Sequence, residues 1–263
     1  MKCDAGMNEK STMGKRRGIS MAVNVASEVE IQQRYYAESA HKYSEMHDQD
    51  DDGHYLALLL LVATIDYFGI KSILDVGSGT GRAVSYVKKK CPGIKIVGIE
   101  PVKELREVGY QNGLSREDLV EGDALKLAFR DGEFDMVCEF GMLHHVRNPE
   151  IVVAEMLRVA NKAIFISDSN NFGQGSFLIR TFKQALNFFG LWGAMNIIWT
   201  KGKGYTFSEG DGLAYSYSVF NNYKQIEDRC KRMYLLGAAS GKTSVYKTAD
   251  QVVLMGVKDA IAP

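Results

Sequence analysis

The sequence has no excess of charge of either sign, because 32 Lys and Arg residues balance 32 Asp and Glu residues. Sequence-independent binding to nucleic acid depends on a basic surface, so the composition argues against that class of protein. The four cysteines, Cys3, Cys91, Cys138 and Cys230, lack the spacing of a metal motif or a redox pair. We therefore expect free thiols in a reducing compartment and no metal site.

Long apolar runs are also absent. The longest, Leu56 to Ile65, is far shorter than the roughly 20 residues of a membrane-spanning helix. The first residues lack the apolar segment of a signal peptide, so we expect a cytoplasmic protein without a membrane span. The polar, locally basic residues 1–26 predict a disordered tail. Residues 27–263 are expected to form a single domain.

Strand and helix patterns alternate through the middle of the chain. Apolar segments predict strands at 71–76, 94–100, 119–121, 134–139 and 163–167. The segments between them predict helices, one of which would open with Pro101 at its first position. This alternation is typical of a parallel sheet with helices on both faces. Two later segments, 232–236 and 251–257, predict a closing antiparallel hairpin, and a helical pattern from Glu28 precedes the sheet.

A glycine-rich turn follows the first predicted strand. Glycines at positions i, i+2 and i+4 let the backbone pass close to a ligand and point amide groups at it. A dinucleotide fingerprint requires G-x-G-x-x-G, and Arg82 occupies its third glycine position, which argues against a nicotinamide oxidoreductase. The turn is Leu74-Asp75-Val76-Gly77-Ser78-Gly79-Thr80-Gly81.

Acidic residues follow the next two predicted strands. Glu100 ends the second strand, where a carboxylate can accept hydrogen bonds from both hydroxyls of a ribose. Asp123 follows the third strand, where it can accept a hydrogen bond from the exocyclic amine of adenine. In series with the glycine turn, these acids predict a site for a ligand that contains a nucleoside.

The chain resembles the class I S-adenosylmethionine-dependent methyltransferases, in the small-molecule branch that includes ubiquinone and menaquinone methyltransferases. The resemblance covers about residues 33–168. It departs at Ala128, where the family often has proline, and at 160–163, where it often has a Pro-Gly-Gly turn. The segments that carry the resemblance are the glycine turn, Glu100, 122–124, 127–137, 143–146, 148–149 and 155–159.

The resemblance implies a Rossmann-like α/β fold whose seven-stranded sheet has the order 3-2-1-4-5-7-6, with helices on both faces. It implies S-adenosylmethionine as cofactor and a methyl group moved to a small, apolar or aromatic acceptor by in-line displacement. Asp75 would orient the amino end of the methionine, Glu100 would hold the ribose, and Asp123 would hold the adenine. The implied cofactor-binding positions are Asp75, Gly77, Ser78, Gly79, Gly81, Glu100, Asp123, Ala124, Glu139 and Phe140.

The pair His144-His145 follows the fourth predicted strand, beside the expected position of the methyl group. An imidazole titrates near neutral pH, so either ring is a candidate general base, and packing or orientation of the acceptor is the alternative. The aromatic-rich insertion 170–210 is expected to form either a lid over the acceptor or part of the core. The expected substrate-side residues are Tyr35, Tyr36, Asn170, Asn171 and Phe172.

Two other functions stay open from the sequence. One is a non-catalytic, S-adenosylmethionine-binding partner subunit, and the other is a methyltransferase for RNA or protein. After the fourth strand, 139–142 lacks the acid-Pro-Pro-aromatic signature of amino methylation in nucleic acids. The acceptor, the methylated atom and the oligomeric state are not specified by these motifs.

Overall fold

A seven-stranded sheet forms the centre of the protein. The computed structural model describes residues 17–43, 53–238 and 244–258, with side chains from Glu28 onward. The strand order in the large sheet is β3-β2-β1-β4-β5-β9-β8, and β6 pairs only with β7 in a separate hairpin. The strands are β1 (Ser72–Val76), β2 (Lys95–Ile99), β3 (Leu119–Val120), β4 (Phe134–Phe140), β5 (Ala160–Ser169), β6 (Tyr205–Ser208), β7 (Gly212–Tyr215), β8 (Arg232–Gly237) and β9 (Gln251–Val257).

The expected sheet order is confirmed. Strands β1 to β5 are parallel, and β9 runs antiparallel to both β5 and β8. Counted within the large sheet alone, the order is 3-2-1-4-5-7-6. All five parallel strands therefore bring their carboxyl ends to one edge, where the glycine turn, Glu100 and the histidine pair also lie.

Helices cover both faces of the large sheet. Consecutive strand residues point to opposite faces, so Ile73 packs beneath α2 and α3 while Leu74 packs beneath α5 and α8. The helices are α1 (Arg17–Ser39), α2 (Gly53–Tyr67), α3 (Arg82–Lys90), α4 (Lys103–Gln111), α5 (Pro149–Val159), α6 (Phe177–Phe188), α7 (Trp192–Trp199) and α8 (Tyr223–Glu227). Short 3-10 turns occur at Ala40–Lys42, Leu143–His145, Asn171–Gly173 and Val219–Asn222.

Two helix starts differ from the sequence prediction. The prediction that Pro101 opens α4 is wrong, because Val102 is extended and the helix begins at Lys103. The amide of Val102 donates instead to the Glu100 side chain at 2.8 Å. Helix α1 starts at Arg17, before the expected Glu28, so residues 17–26 of the expected tail are helical. Residues 1–16 lie outside the described residues, and the division into a tail and one domain stays a prediction.

The aromatic-rich insertion contains two helices and a hairpin that were not predicted from the sequence. The alternative that the insertion forms part of the core is wrong for α6 and α7, since neither helix has a buried residue. Phe177 and Phe188 are 70% and 84% exposed. The hairpin of β6 and β7 folds back toward the carboxyl edge of the large sheet. Within the described ranges, none of the helices combines the length and the apolar character needed to cross a bilayer.

Candidate active site

The glycine turn is fastened to the end of β2. The amides of Gly77 and Ser78 both donate to the Ile99 carbonyl, at 3.0 and 2.9 Å. The amide of Gly79 donates to the Glu100 carboxylate at 3.0 Å. Gly77 and Gly79 have φ values of +72° and +57°, which favour glycine because a Cβ would clash with the backbone. Backbone atoms therefore form the surface of the turn.

Glu100 is a buried carboxyl group held by backbone amides. Oε1 accepts from the Val102 amide and Oε2 from the Gly79 amide. Burial raises its pKa to about 7, although these amides and the nearby Arg106 favour the charged form. Asp75 is also buried and accepts from the Ser78 hydroxyl, and burial raises its pKa to about 6. Both carboxyls are thus buried next to the glycine turn.

Two adjoining cavities lie over the turn. The glycine-loop cavity, of about 350 Å³, is lined by Gly79, Glu100, Asp123 and Ala124 among others. The Asp75 cavity, of about 250 Å³, is lined by Asp75 and Ser78. The residues common to both include Tyr36, Tyr43, Gly77, Phe140, Gly141 and His145. Their volumes together suit a ligand of nucleoside size or larger.

Two of the implied cofactor-binding positions lie elsewhere. Neither Gly81 nor Glu139 is among the described residues that line these two cavities. Gly81 is the N-cap of α3, and a Cβ there would lie 2.2 Å from Leu114 Cδ1, so its conformation serves packing. Glu139 is fully buried and accepts from the Met142 amide at 2.9 Å. Burial and the neighbouring Asp168 raise the pKa of Glu139 well above its usual value.

His144 is held between two carboxylates. Its Nδ1 donates to Asp168 Oδ1 at 2.7 Å, and its Nε2 lies 3.3 Å from Asp211 Oδ2. Asp168 also accepts from the Leu143 amide at 2.8 Å, which fixes the 3-10 turn. Burial disfavours the charged imidazole, but the two carboxylates outweigh it and raise the pKa of His144 to about 10. A ring protonated at neutral pH has no lone pair for a base, which favours the orienting role.

Both ring nitrogens of His145 already have hydrogen-bond partners. Nδ1 donates to the Leu213 carbonyl at 2.6 Å, which places the neutral ring's lone pair on Nε2. The Tyr36 hydroxyl lies 2.8 Å from that Nε2, and Asp211 Oδ1 lies 3.4 Å from it. Burial raises the pKa of Tyr36 well above its usual value, so the hydroxyl is a donor here.

Asp211 joins the histidine pair from a distant part of the chain, and it is not among the residues predicted from the sequence. It precedes β7 in the turn between β6 and β7. Burial works against its ionisation, but the hydrogen bond and charge of the protonated His144 lower its pKa. The signal that could have identified it is an acid between two glycines, Gly210-Asp211-Gly212, within the aromatic-rich insertion.

A third, larger cavity opens on the other side of Asp211. The large cavity, of about 940 Å³, is lined by aromatic residues of the insertion and by hydroxyl, amide and charged side chains. Trp192, whose Nε1 donates to Ser216 at 2.8 Å, belongs to this lining, as does Trp199. The residues common to the large cavity and the Asp75 cavity are His54, His144 and Asp211.

The expected substrate-side residues separate into two groups. Asn171 lines the large cavity, and Tyr36 lines the two cavities over the glycine turn. The Tyr35 hydroxyl instead donates to the Glu209 carbonyl at 2.7 Å. Asn170 is fully buried and donates to the Tyr246 and Ala249 carbonyls. Phe172 is buried against the Trp192 ring, with the ring centroids 6.0 Å apart.

Comparisons with known proteins agree with this architecture. Residues 74–165 match a protein-family profile described as "Methyltransferase domain". Norajmaline N-methyltransferase of Rauvolfia serpentina is 37% identical over 95 residues, which cover 34% of this chain and 32% of that protein. Demethylmenaquinone methyltransferase of Deinococcus radiodurans is 33% identical over 93 residues, which cover 34% of this chain and 38% of that protein. The chain thus spans about a third of the length of these relatives.

Solved structures match over most of the chain. Magnesium protoporphyrin IX methyltransferase of Synechocystis, determined with bound SAH, has a TM-score of 0.55 and 14% identity over 88% of this chain and 99% of that one. An S-adenosylmethionine-dependent methyltransferase of Thermotoga maritima has a TM-score of 0.54 and 18% identity over 86% and 99%. At these identities the likeness shows the fold.

Proposed function

We propose that this chain, which carries a class I S-adenosylmethionine-dependent methyltransferase domain, transfers a methyl group to a small-molecule acceptor held in the large cavity. S-adenosylmethionine is the cofactor, and it supplies a methyl group made electrophilic by a positively charged sulfur. One observation carries the choice of acceptor site. The large cavity and the Asp75 cavity meet at His54, His144 and Asp211, so an acceptor there would face the methionine side of the cofactor site.

The residues over the glycine turn fit the cofactor. Glu100 offers a buried carboxylate to the ribose hydroxyls, and Asp123 lines the same cavity, where it would meet the adenine. Asp75 lies in the adjoining cavity, on the side where the methionine amino group would bind. The left-handed Gly77 and Gly79 place bare backbone between these two groups.

The large cavity suits an acceptor with a flat apolar body and a polar reacting group. Trp192, Trp199 and Tyr205 offer aromatic surface, while His144 and Asp211 cluster at the end that adjoins the Asp75 cavity. Methyl transfer requires the nucleophile to lie in line with the methyl–sulfur bond and water to be excluded. The polar cluster would orient the acceptor, and the insertion would shield it.

Helix α1 closes the other side of the cofactor site. The Glu28 carboxylate accepts from Arg147 Nε at 2.7 Å and from the Tyr215 hydroxyl at 2.7 Å. Gln32 accepts from the Leu213 amide, so α1 and β7 are tied together above the glycine turn. We propose that this contact and the insertion act as a cover over the reacting groups.

The two histidines would orient the acceptor and not remove its proton. His144 already carries a proton between two carboxylates, and the Nε2 of His145 accepts from Tyr36. An acidic phenol or enol can lose its proton to solvent before transfer, so it needs no enzyme base.

Calorimetry and a labelled methyl screen test this function. S-adenosylhomocysteine should bind and NADH should not. Transfer from methyl-labelled S-adenosylmethionine should then be measured to phenols, enols and aromatic amines, to a small-molecule extract, and to RNA and protein fractions. We expect label in the small-molecule fractions, reduced by about 10- to 100-fold in Asp211→Asn through loss of alignment. The exposed Glu209 of the same turn supplies the control variant Glu209→Gln.

Label found only in RNA or protein would contradict the acceptor class. Binding of S-adenosylhomocysteine without transfer to any fraction would support the non-catalytic partner subunit instead.

A further inference from the structure

We propose that His144, His145 and Asp211 form a binding site for one divalent transition-metal ion. One donor atom from each of the three side chains lies within 4.8 Å of the other two. The Nε2 atoms of His144 and His145 lie 3.3 and 3.4 Å from the two Asp211 oxygens. Ligand atoms that each lie about 2.0–2.2 Å from one ion are separated from one another by distances close to these 3.3 and 3.4 Å. Little movement is therefore needed to admit the ion.

The other ring nitrogen of each histidine has the partner that a metal ligand requires. Nδ1 of His144 donates to the buried Asp168 carboxylate, and Nδ1 of His145 donates to the Leu213 carbonyl. Histidines that bind metals almost always donate their second N–H to a carboxylate or a carbonyl, which fixes the tautomer and the ring orientation. Both Nε2 atoms are thereby turned toward Asp211. An ion bound there would replace the Nε2 proton of His144 and the hydrogen bond from the Tyr36 hydroxyl to His145 Nε2.

The chemistry of the donors selects the class of ion. Two imidazoles and one carboxylate suit Zn²⁺, Fe²⁺ or Co²⁺, whereas Mg²⁺ and Ca²⁺ prefer oxygen ligands. Three protein ligands leave a coordination position open, as in catalytic zinc sites. The sequence predicts no metal site because the third ligand, Asp211, is far from the histidine pair along the chain.

The position of the cluster indicates what the ion would hold. His144 and Asp211 line the large cavity, and all three ligands line the Asp75 cavity. An open position would therefore face an acceptor oxygen beside the cofactor site. This role rests on the proposed methyl transfer, but the binding of the ion does not.

Cobalt titration of the untagged, chelator-treated full chain tests the site. Co²⁺ bound by this ligand set gives visible d–d absorption, and we expect saturation at one ion per chain and displacement by Zn²⁺. Asp211→Asn and His144→Gln should abolish the absorption. Asp168→Asn, which keeps all three ligands, should weaken binding by about 10- to 100-fold. The exposed His41 provides the matched control His41→Gln, which should bind as the wild type does.

Circular dichroism and S-adenosylhomocysteine binding establish that each variant is folded. Absence of the cobalt spectrum in the wild type, or unchanged binding in folded Asp211→Asn and His144→Gln, would overturn the inference. Methyl transfer that persists under a chelator, in a protein that binds no cobalt, would contradict the metal site and leave the proposed function standing. Cobalt binding that depends on these residues, without any methyl transfer, would support the metal site and contradict the proposed function.

Discussion

The amide of Gly79 donates a hydrogen bond of 3.0 Å to the buried carboxylate of Glu100. This bond joins the turn after β1 to the end of β2, so it holds the backbone that would face the cofactor next to the acid that would hold its ribose. The second oxygen of Glu100 accepts from Val102, which displaces the start of α4 to Lys103. One side chain thus sets the position of two structural elements.

Replacing Glu100 by alanine should weaken S-adenosylhomocysteine binding. The change removes a charged acceptor of two ribose hydrogen bonds, worth about 2–4 kcal/mol, or roughly 30- to 1,000-fold in Kd. Calorimetry measures the loss, and Glu104→Ala on the exposed side of α4 is the control. An unchanged Kd in Glu100→Ala would show that Glu100 does not hold the ribose.

The buried Glu100 also predicts a pH dependence of stability in the ligand-free protein. Its pKa is raised from 4.5 to about 7, so the folded state favours the neutral carboxyl. That contribution is fully present below pH 4.5 and is lost as the pH rises through 7. Relative to Glu100→Gln, the wild type should therefore lose about 3 kcal/mol between pH 4.5 and 8. Urea denaturation of both proteins across this pH range measures the free energy of unfolding. An equal change of that free energy with pH in the two proteins would contradict the raised pKa of Glu100.

Two neighbouring tyrosines of α1 should differ in their effect on turnover. Tyr36→Phe removes the hydroxyl that lies 2.8 Å from His145 Nε2, a hydrogen bond worth about 0.5–1.5 kcal/mol, so kcat should fall about 2- to 10-fold. Tyr35→Phe removes the bond to the exposed Glu209 carbonyl, away from the histidine pair, and we expect a change within about twofold. Both kcat and the Kd of S-adenosylhomocysteine should be measured, because the retained Tyr36 ring should leave the Kd nearly unchanged. An equal loss of turnover in the two variants would argue against a specific role for the Tyr36 hydroxyl.

Alanine at Gly81 should reduce stability more than alanine at Gly113. Both glycines have positive φ, at +82° and +97°, which costs an alanine about 1–2 kcal/mol. At Gly81 the new Cβ would also lie 2.2 Å from Leu114 Cδ1, whereas nothing lies within 4 Å at Gly113. Overpacking adds about 1–3 kcal/mol at Gly81 alone. Thermal and urea unfolding measure the difference. A Gly81→Ala protein of wild-type stability with weakened cofactor binding would restore the implied role of Gly81 in the cofactor wall.

Removal of the Glu28 charge should loosen α1. Glu28 is buried against Arg147 and Tyr215, so Glu28→Gln replaces a charge-assisted contact by a neutral one, at a cost of about 1–2 kcal/mol. Amide exchange in residues 28–39 should be about 5- to 30-fold faster. The neighbouring, exposed Glu30 gives the control Glu30→Gln. Exchange that is unaltered in Glu28→Gln would show that this contact does not hold the helix.

Local patterns were sufficient to predict the parallel strands of the sheet, and the family resemblance supplied their order. The alternation of apolar segments with helical ones predicts β1 to β5, because side chains in a strand point alternately to its two faces and both faces are covered. The glycine turn could be read from three residues, since its positive φ values are a local property of glycine. The acids at 100 and 123 could be placed at the same edge because parallel strands share their direction.

Tertiary structure decided what depends on contacts between distant segments. The sequence shows three glycines with the same spacing, but in the structure Gly77 and Gly79 line the cavities over the turn, whereas Gly81 packs against Leu114. Helices α6 and α7 have the apolar residues of a core and nevertheless leave them exposed. Most of all, Asp211 meets His144 and His145 only because the β6–β7 turn folds over the carboxyl edge of the sheet. The periodicity of apolar residues in the sequence does not predict such a contact, since its geometry depends on the packing of distant segments.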